Sequence, residues 1–172
     1  LVCISSTLDL AACSRQIERP RNRIYQRWLQ RRLRNQTLAD PFGVRASERS
    51  ALQALDRPRT IRAFDAAITA PRWGYDSVEH YYQEASPLPR LLAAPGADER
   101  SHPALPPTLL LHALDDPWVP ASGAQLLAQQ HLPGLDVVLT AHGGHNGFHG
   151  VGDEPLSCWG DQLVASWLKR QL

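Results

Sequence analysis

Methionine is missing from all 172 residues, position 1 included, and the chain opens directly on the apolar, β-prone run "LVCIS". A chain with this start is expected to begin inside a longer protein. Cysteine is scarce: Cys3, Cys13 and Cys158 are odd in number and lack motif spacing. That usage fits reduced thiols in a cytoplasm better than a disulfide framework. Long hydrophobic runs are missing too. The longest, such as "TLLLHAL" at 108 to 114, fall far short of the roughly 20 residues that cross a bilayer. The first residues lack the basic, apolar, small-residue order of a signal peptide, so the expectation is a soluble, cytoplasmic chain with no transmembrane segment. A hydrophobic share of 43% is enough for a compact core, and nothing in the composition is fibrous or disordered.

Charge is present but uneven. The formal net charge is only +1, yet residues 1 to 65 carry 13 arginines against 6 acids, and the remainder 5 bases against 11 acids. Eight arginines fall between Arg15 and Arg34, with Ile24, Trp28, Leu29 and Leu33 recurring at roughly helical spacing, which makes a basic amphipathic helix. Such a helix suits phosphate groups or a membrane surface. The plainer expectation is that Ile24, Trp28 and Leu33 pack inward while the arginines coat a solvated face. No recognition motif or aromatic-rich strand accompanies it, so no nucleic-acid partner is expected.

Along the chain, "LVCIS" reads as a buried strand, and helices follow near 11 to 18 and 21 to 35, with Pro20 as the boundary. Further helical patterns run over 46 to 56, 59 to 69 and 76 to 85, the last capped by Asp76 or Ser77. Residues 86 to 107 hold six of the fourteen prolines and are expected to form an irregular surface connection. After it come "TLLLHA", a helix in "SGAQLLAQQ", "DVVLT" and a final helix in "CWGDQLVASWLKR". Strand, helix, strand, helix in short steps predicts a parallel α/β sheet covered on both faces. Ligands in such sheets bind beyond the carboxyl ends of the strands.

At those ends stand the groups with chemistry. "LDDPWVP" places Asp115 and Asp116 after one strand, and "AHGGHNGFHG" places His142, His145 and His149 after the next. A histidine that acts as general base needs an acceptor on its far ring nitrogen to fix the tautomer and stabilise the imidazolium. Asp116 suits that role for His145, and Gly143 and Gly144 allow the tight turn that brings them together. Two rivals remain open from the residues alone: a metal site built from the histidines and an aspartate, and plain loop histidines beside a strand end.

"LLLHALDDPWVP" followed by "AHGGHNGF" resembles the C-terminal part of α/β-hydrolases, and more narrowly the YheT-like (AB hydrolase 4) branch of carboxylesterases and acylglycerol lipases. "LDLAACSRQIERPRNRIYQRWLQRRLR" and "TIRAFDAAITAPRWGYDSVEHYYQEAS" are similar to that branch's cap helices and the lead-in to its acid strand. Residues 93 to 107 look like an insertion. The resemblance implies an incomplete fold of about three parallel strands with flanking helices. Residues 1–10 would hold the strand after the nucleophile elbow helix, 11–90 the helical cap region, and 91–172 the C-terminal α/β unit. It further implies Asp116 as catalytic acid, ahead of Asp115 as the second candidate for that role, and His145 as catalytic base. His142 and Phe148 would shape the site, and the loop from Trp118 would border the acyl pocket.

The implied activity is serine-dependent hydrolysis of a small-molecule or lipid carboxylic ester, with no cofactor and no metal. The departure from the family is the nucleophile. No G-x-S-x-G elbow occurs, and Ser5, Ser6 and Ser122 lack the flanking glycines it needs. The serine and oxyanion hole are therefore expected upstream, in the missing N-terminal half of the same fold. The alternative is a non-catalytic basic helical binding module or one subunit of a split hydrolase.

Overall fold

The structure is a computed structural model that describes residues 1–54, 60–93, 105–153 and 157–172. The chain divides into two compact units, one of residues 1–9 with 87–172 and one of residues 10–86. The first is an α/β unit built on three parallel strands in the order β1 (Val2–Ile4), β2 (Thr108–Ala113) and β3 (Leu135–Thr140). Cys3 pairs with Leu110, and Leu110 with Val137, so the strands share one register.

β2 is central, and every one of its residues is buried. The alternation of side chains across the pleat explains why it reads as a continuous apolar run. Leu110 packs with Leu8, Ala124 and Leu127 on one face, beneath helix α8 (Ser122–Gln130). Leu111 and Ala113 pack with Phe148 on the other, with Leu163 of helix α9 (Trp159–Lys169) against them. Leu111 is 0% exposed, and burying such a side chain fully stabilises the fold by about 1.5–3 kcal/mol.

Residues 10–86 are helical: α1 (Leu10–Ile17), a 3-10 turn at Pro20–Asn22, α2 (Arg23–Leu38) and α3 (Ala46–Ala54). Then α4 (Ile61–Phe64) passes through a π-turn at Asp65–Thr69 into α5 (Ala70–Arg72), and α6 (Val78–Ala85) closes the unit. Pro20 forms the 3-10 turn that separates α1 from α2. Ser77, of the two candidate caps, accepts from the His80 amide at 3.0 Å. Leu52, Phe64 and Ile68 make this unit's own core.

Two expectations are corrected. The proline-rich connection begins with a short helix, α7 (Pro87–Leu92), because prolines in a first turn remove amides that have no intrahelical partner anyway. Leu88, Leu91 and Leu92 then anchor it to the core around Leu110. Most of the insertion at 93 to 107 lies outside the described residues. The second correction concerns α2. Leu33 packs toward the core of Leu52, Phe64 and Ile68, but Ile24 is 84% and Trp28 52% exposed. The buried stripe is instead the polar set Gln26, Gln30 and Thr37.

Candidate active site

The carboxyl ends of β2 and β3 lie side by side, since Ala113 pairs with Thr140. The loop after β2 is wound around one carboxylate. Oδ1 of Asp116 accepts hydrogen bonds from the amides of Trp118 at 2.8 Å and Val119 at 3.0 Å. Such an aspartate turn, followed by Pro117, holds the side chain in one rotamer. From below, the buried His112 donates from Nε2 to the Val119 carbonyl at 3.2 Å. That bond fixes the Nε2–H tautomer of His112 and ties the loop to β2.

With Oδ1 occupied, Oδ2 of Asp116 faces Nδ1 of His145 at 3.0 Å. The aspartate side chain is fully buried, while the imidazole is 26% exposed. The pair is therefore shielded on its acid side and open on its base side. An aspartate there accepts a hydrogen bond from Nδ1–H, which holds the proton on that nitrogen and leaves the Nε2 lone pair free for a proton from a third group. The indole of Trp118 lies against the imidazole with ring centroids 4.8 Å apart and planes tilted by 57°.

Asp115 has a different task. Its Oδ1 accepts the Gly144 amide at 2.8 Å, and Oδ2 stands 3.4 Å from Nδ1 of His142. The Gly144 amide, and after it His142, hold this carboxyl below the ordinary carboxylate range. Both partners belong to the loop after β3, so Asp115 straps one loop to the other while Asp116 holds the imidazole.

The turn itself depends on Gly143, at φ +151°. A Cβ there would stand 2.9 Å from the Phe148 ring and 3.2 Å from Ala113. Phe148 is 4% exposed: it is the floor under the glycine turn and part of the core, not a wall of an open pocket. His149 points elsewhere and pairs with Asp153 at 3.1 Å. The three histidines of this loop thus each take a different aspartate, and residues 141 to 150 form turns rather than a helix. Among the described residues no three His, Cys, Asp or Glu side chains converge on a metal-binding arrangement.

Sequence reasoning passed over His112, Trp118 as a neighbour of the imidazole, and the strap made by Asp115. His112 sits inside an apolar run, where a histidine is a signal only because nothing else in "TLLLHA" is so polar. Ser5 lies at the end of β1 at φ +47°, 4% exposed, with no hydrogen-bond partner for its hydroxyl among the described residues. That burial keeps it from serving as a nucleophile.

The chain is 31% identical over 173 aligned positions to "Putative esterase YheT" of Escherichia coli (strain K12), an alignment covering 99% of this chain and 47% of the relative. It is 34% identical over 92 residues to "Phospholipase ABHD3" of Homo sapiens, with 54% and 20% covered. Over 96 residues it is 36% identical to "Monoacylglycerol lipase" of Saccharomyces cerevisiae, with 55% and 18% covered. The chain spans less than half the length of each of these relatives. No family model and no solved structure matches it. Its parallel sheet and these likenesses agree: the chain belongs to the α/β-hydrolase esterase family and matches the C-terminal part of that fold.

Proposed function

We propose that this chain supplies the acid and base of a Ser-Asp-His triad for carboxylic ester hydrolysis, the serine coming from outside these 172 residues. The observation that carries the reading is the 3.0 Å approach of the buried Asp116 to His145 Nδ1. In this mechanism His145 Nε2 takes the proton from the serine hydroxyl as its oxygen attacks the ester carbonyl carbon. Asp116 stabilises the imidazolium so formed without taking its proton. The imidazolium then protonates the departing alkoxide, and an acyl-enzyme remains. Water, deprotonated by the same nitrogen, adds to the acyl carbon, and the serine leaves with that proton. No redox step or cofactor enters.

The names of the relatives support an ester substrate, from a small ester to an acylglycerol or phospholipid. The helices of residues 10–86 serve as the cap region of the complete enzyme. The test uses the longer protein that carries the nucleophile, assayed on p-nitrophenyl esters. His145→Ala and Asp116→Asn each lower kcat by about 10⁴-fold or more, while His149→Ala stays near wild type. Normal turnover by His145→Ala removes His145 from the triad. Restoration of chelator-treated enzyme by Zn²⁺ replaces the triad reading with a metal one.

A further inference from the structure

Helix α2 is built inside out. A helix on the surface of a globular unit normally turns its apolar stripe inward and its polar face to water. Here the buried stripe includes Gln30, 1% exposed, with neither end of its side-chain amide hydrogen-bonded among the described residues. The outward face carries Ile24 and Trp28, together with the exposed Arg27, Arg31 and Arg32. Arg27 and Arg31 form no ion pair among the described residues. The Arg32 guanidinium lies 5.9 Å from the centre of the Trp28 ring. Within this sixteen-residue helix the mixed face from Ile24 to Arg32 extends over about 12 Å.

Apolar side chains left in water beside unpaired cations call for a surface that is both hydrocarbon and anionic. From Arg19 to Ala39 there are seven arginines and no acid. Two copies meeting through this face would set arginine against arginine, so a homodimer is disfavoured. A nucleic acid offers phosphates but no hydrocarbon for Ile24. A bilayer of anionic lipid offers both: headgroup phosphates for the arginines and the acyl boundary for Ile24 and Trp28, with the indole at the interface it prefers. We propose that the outward face of α2 docks this chain on an anionic lipid surface, lying in its plane rather than spanning it. This inference is independent of the catalytic reading.

The experiment is co-sedimentation of the longer protein that carries this chain with vesicles of phosphatidylcholine alone or mixed with phosphatidylglycerol. Sedimentation with the anionic vesicles only, weakening as salt rises, is the expected result. Arg27→Gln with Arg31→Gln lowers partitioning by about tenfold or more. Ile24→Ser with Trp28→Ser also weakens it strongly although charge is unchanged. Both pairs alter exposed side chains, so each tests the face without touching the core. The proposal is overturned if the wild type ignores anionic vesicles, if it binds neutral ones equally, or if either double variant partitions like wild type. Binding to polyuridylic acid that survives Ile24→Ser with Trp28→Ser overturns it in favour of nucleic acid. A dimer in sedimentation velocity that Ile24→Ser dissolves overturns it in favour of a second copy.

Discussion

Asp115 and Asp116 are adjacent, identical in type and both near a histidine, yet they occupy opposite environments. Asp116 is buried and held by two amides; Asp115 is exposed and held by an amide of the facing loop. The proline after Asp116 is the local feature that separates them, because it stiffens the turn whose amides grip that side chain. The glycines were legible in the same way. "HGGH" announces a turn, and Gly143 is the position that must lack a Cβ, with its φ of +151° and the Phe148 ring 2.9 Å from where a methyl would stand. Gly143→Ala is expected to lower stability by about 1–3 kcal/mol, read as a lower denaturant midpoint. An unchanged midpoint would mean that the ring gives way freely.

Among the elements, α3 and α5 are joined by the pair Glu48 and Arg72. Glu48 Oε1 accepts from Arg72 Nε at 2.8 Å, and Arg72 also pairs with Asp40. Glu48 sits at the start of α3, where its Oε2 accepts the Arg45 amide at 2.9 Å. The Arg72 hydrogen bond outweighs desolvation and holds the Glu48 carboxyl down at about 2, against an ordinary 4.5. A carboxyl whose folded value lies below its unfolded one binds its proton more readily in the unfolded chain. Its contribution is therefore whole above about pH 4.5 and is lost as pH falls toward about 2. Arg72→Ala is expected to cost about 3 kcal/mol at neutral pH, since it leaves a buried charge unpaired. Thermal melts across this range check both statements: the wild type should lose Tm on acidification, and the variant should lose much less. None of this was legible beforehand, because residues 24 positions apart on different helices share no local pattern.

For the molecule as a whole, β1 and β3 are the two edges of a three-stranded sheet, and Ile4 at the end of β1 is 39% exposed. The described residues hold the Asp116–His145 pair, and the sequence has no G-x-S-x-G elbow. The 172-residue chain by itself is therefore expected to leave p-nitrophenyl butyrate at the background rate, while the longer protein turns it over. Ester turnover by the short chain alone, abolished by His145→Ala, would place the nucleophile within these residues and correct the proposal.

The strands, most of the helices, the loops at the strand ends and the candidates Asp116 and His145 were readable, because periodicity, prolines and glycines act over a few residues; α7 was not, because the prolines that read as a break also suit a helix's first turn. The reading failed for α2, where period 3.6 announced a helix but not which side of it would find a neighbour. Whether Ile24 meets a core or the outside depends on what α1 and the elements around α3 offer in return, and polar Gln30 took the inward place. The division of labour between the two aspartates was likewise settled only when β3 laid its loop beside that of β2. Local forces choose a segment's conformation; the choice of partner is made by groups far away along the chain, which only packing brings within reach.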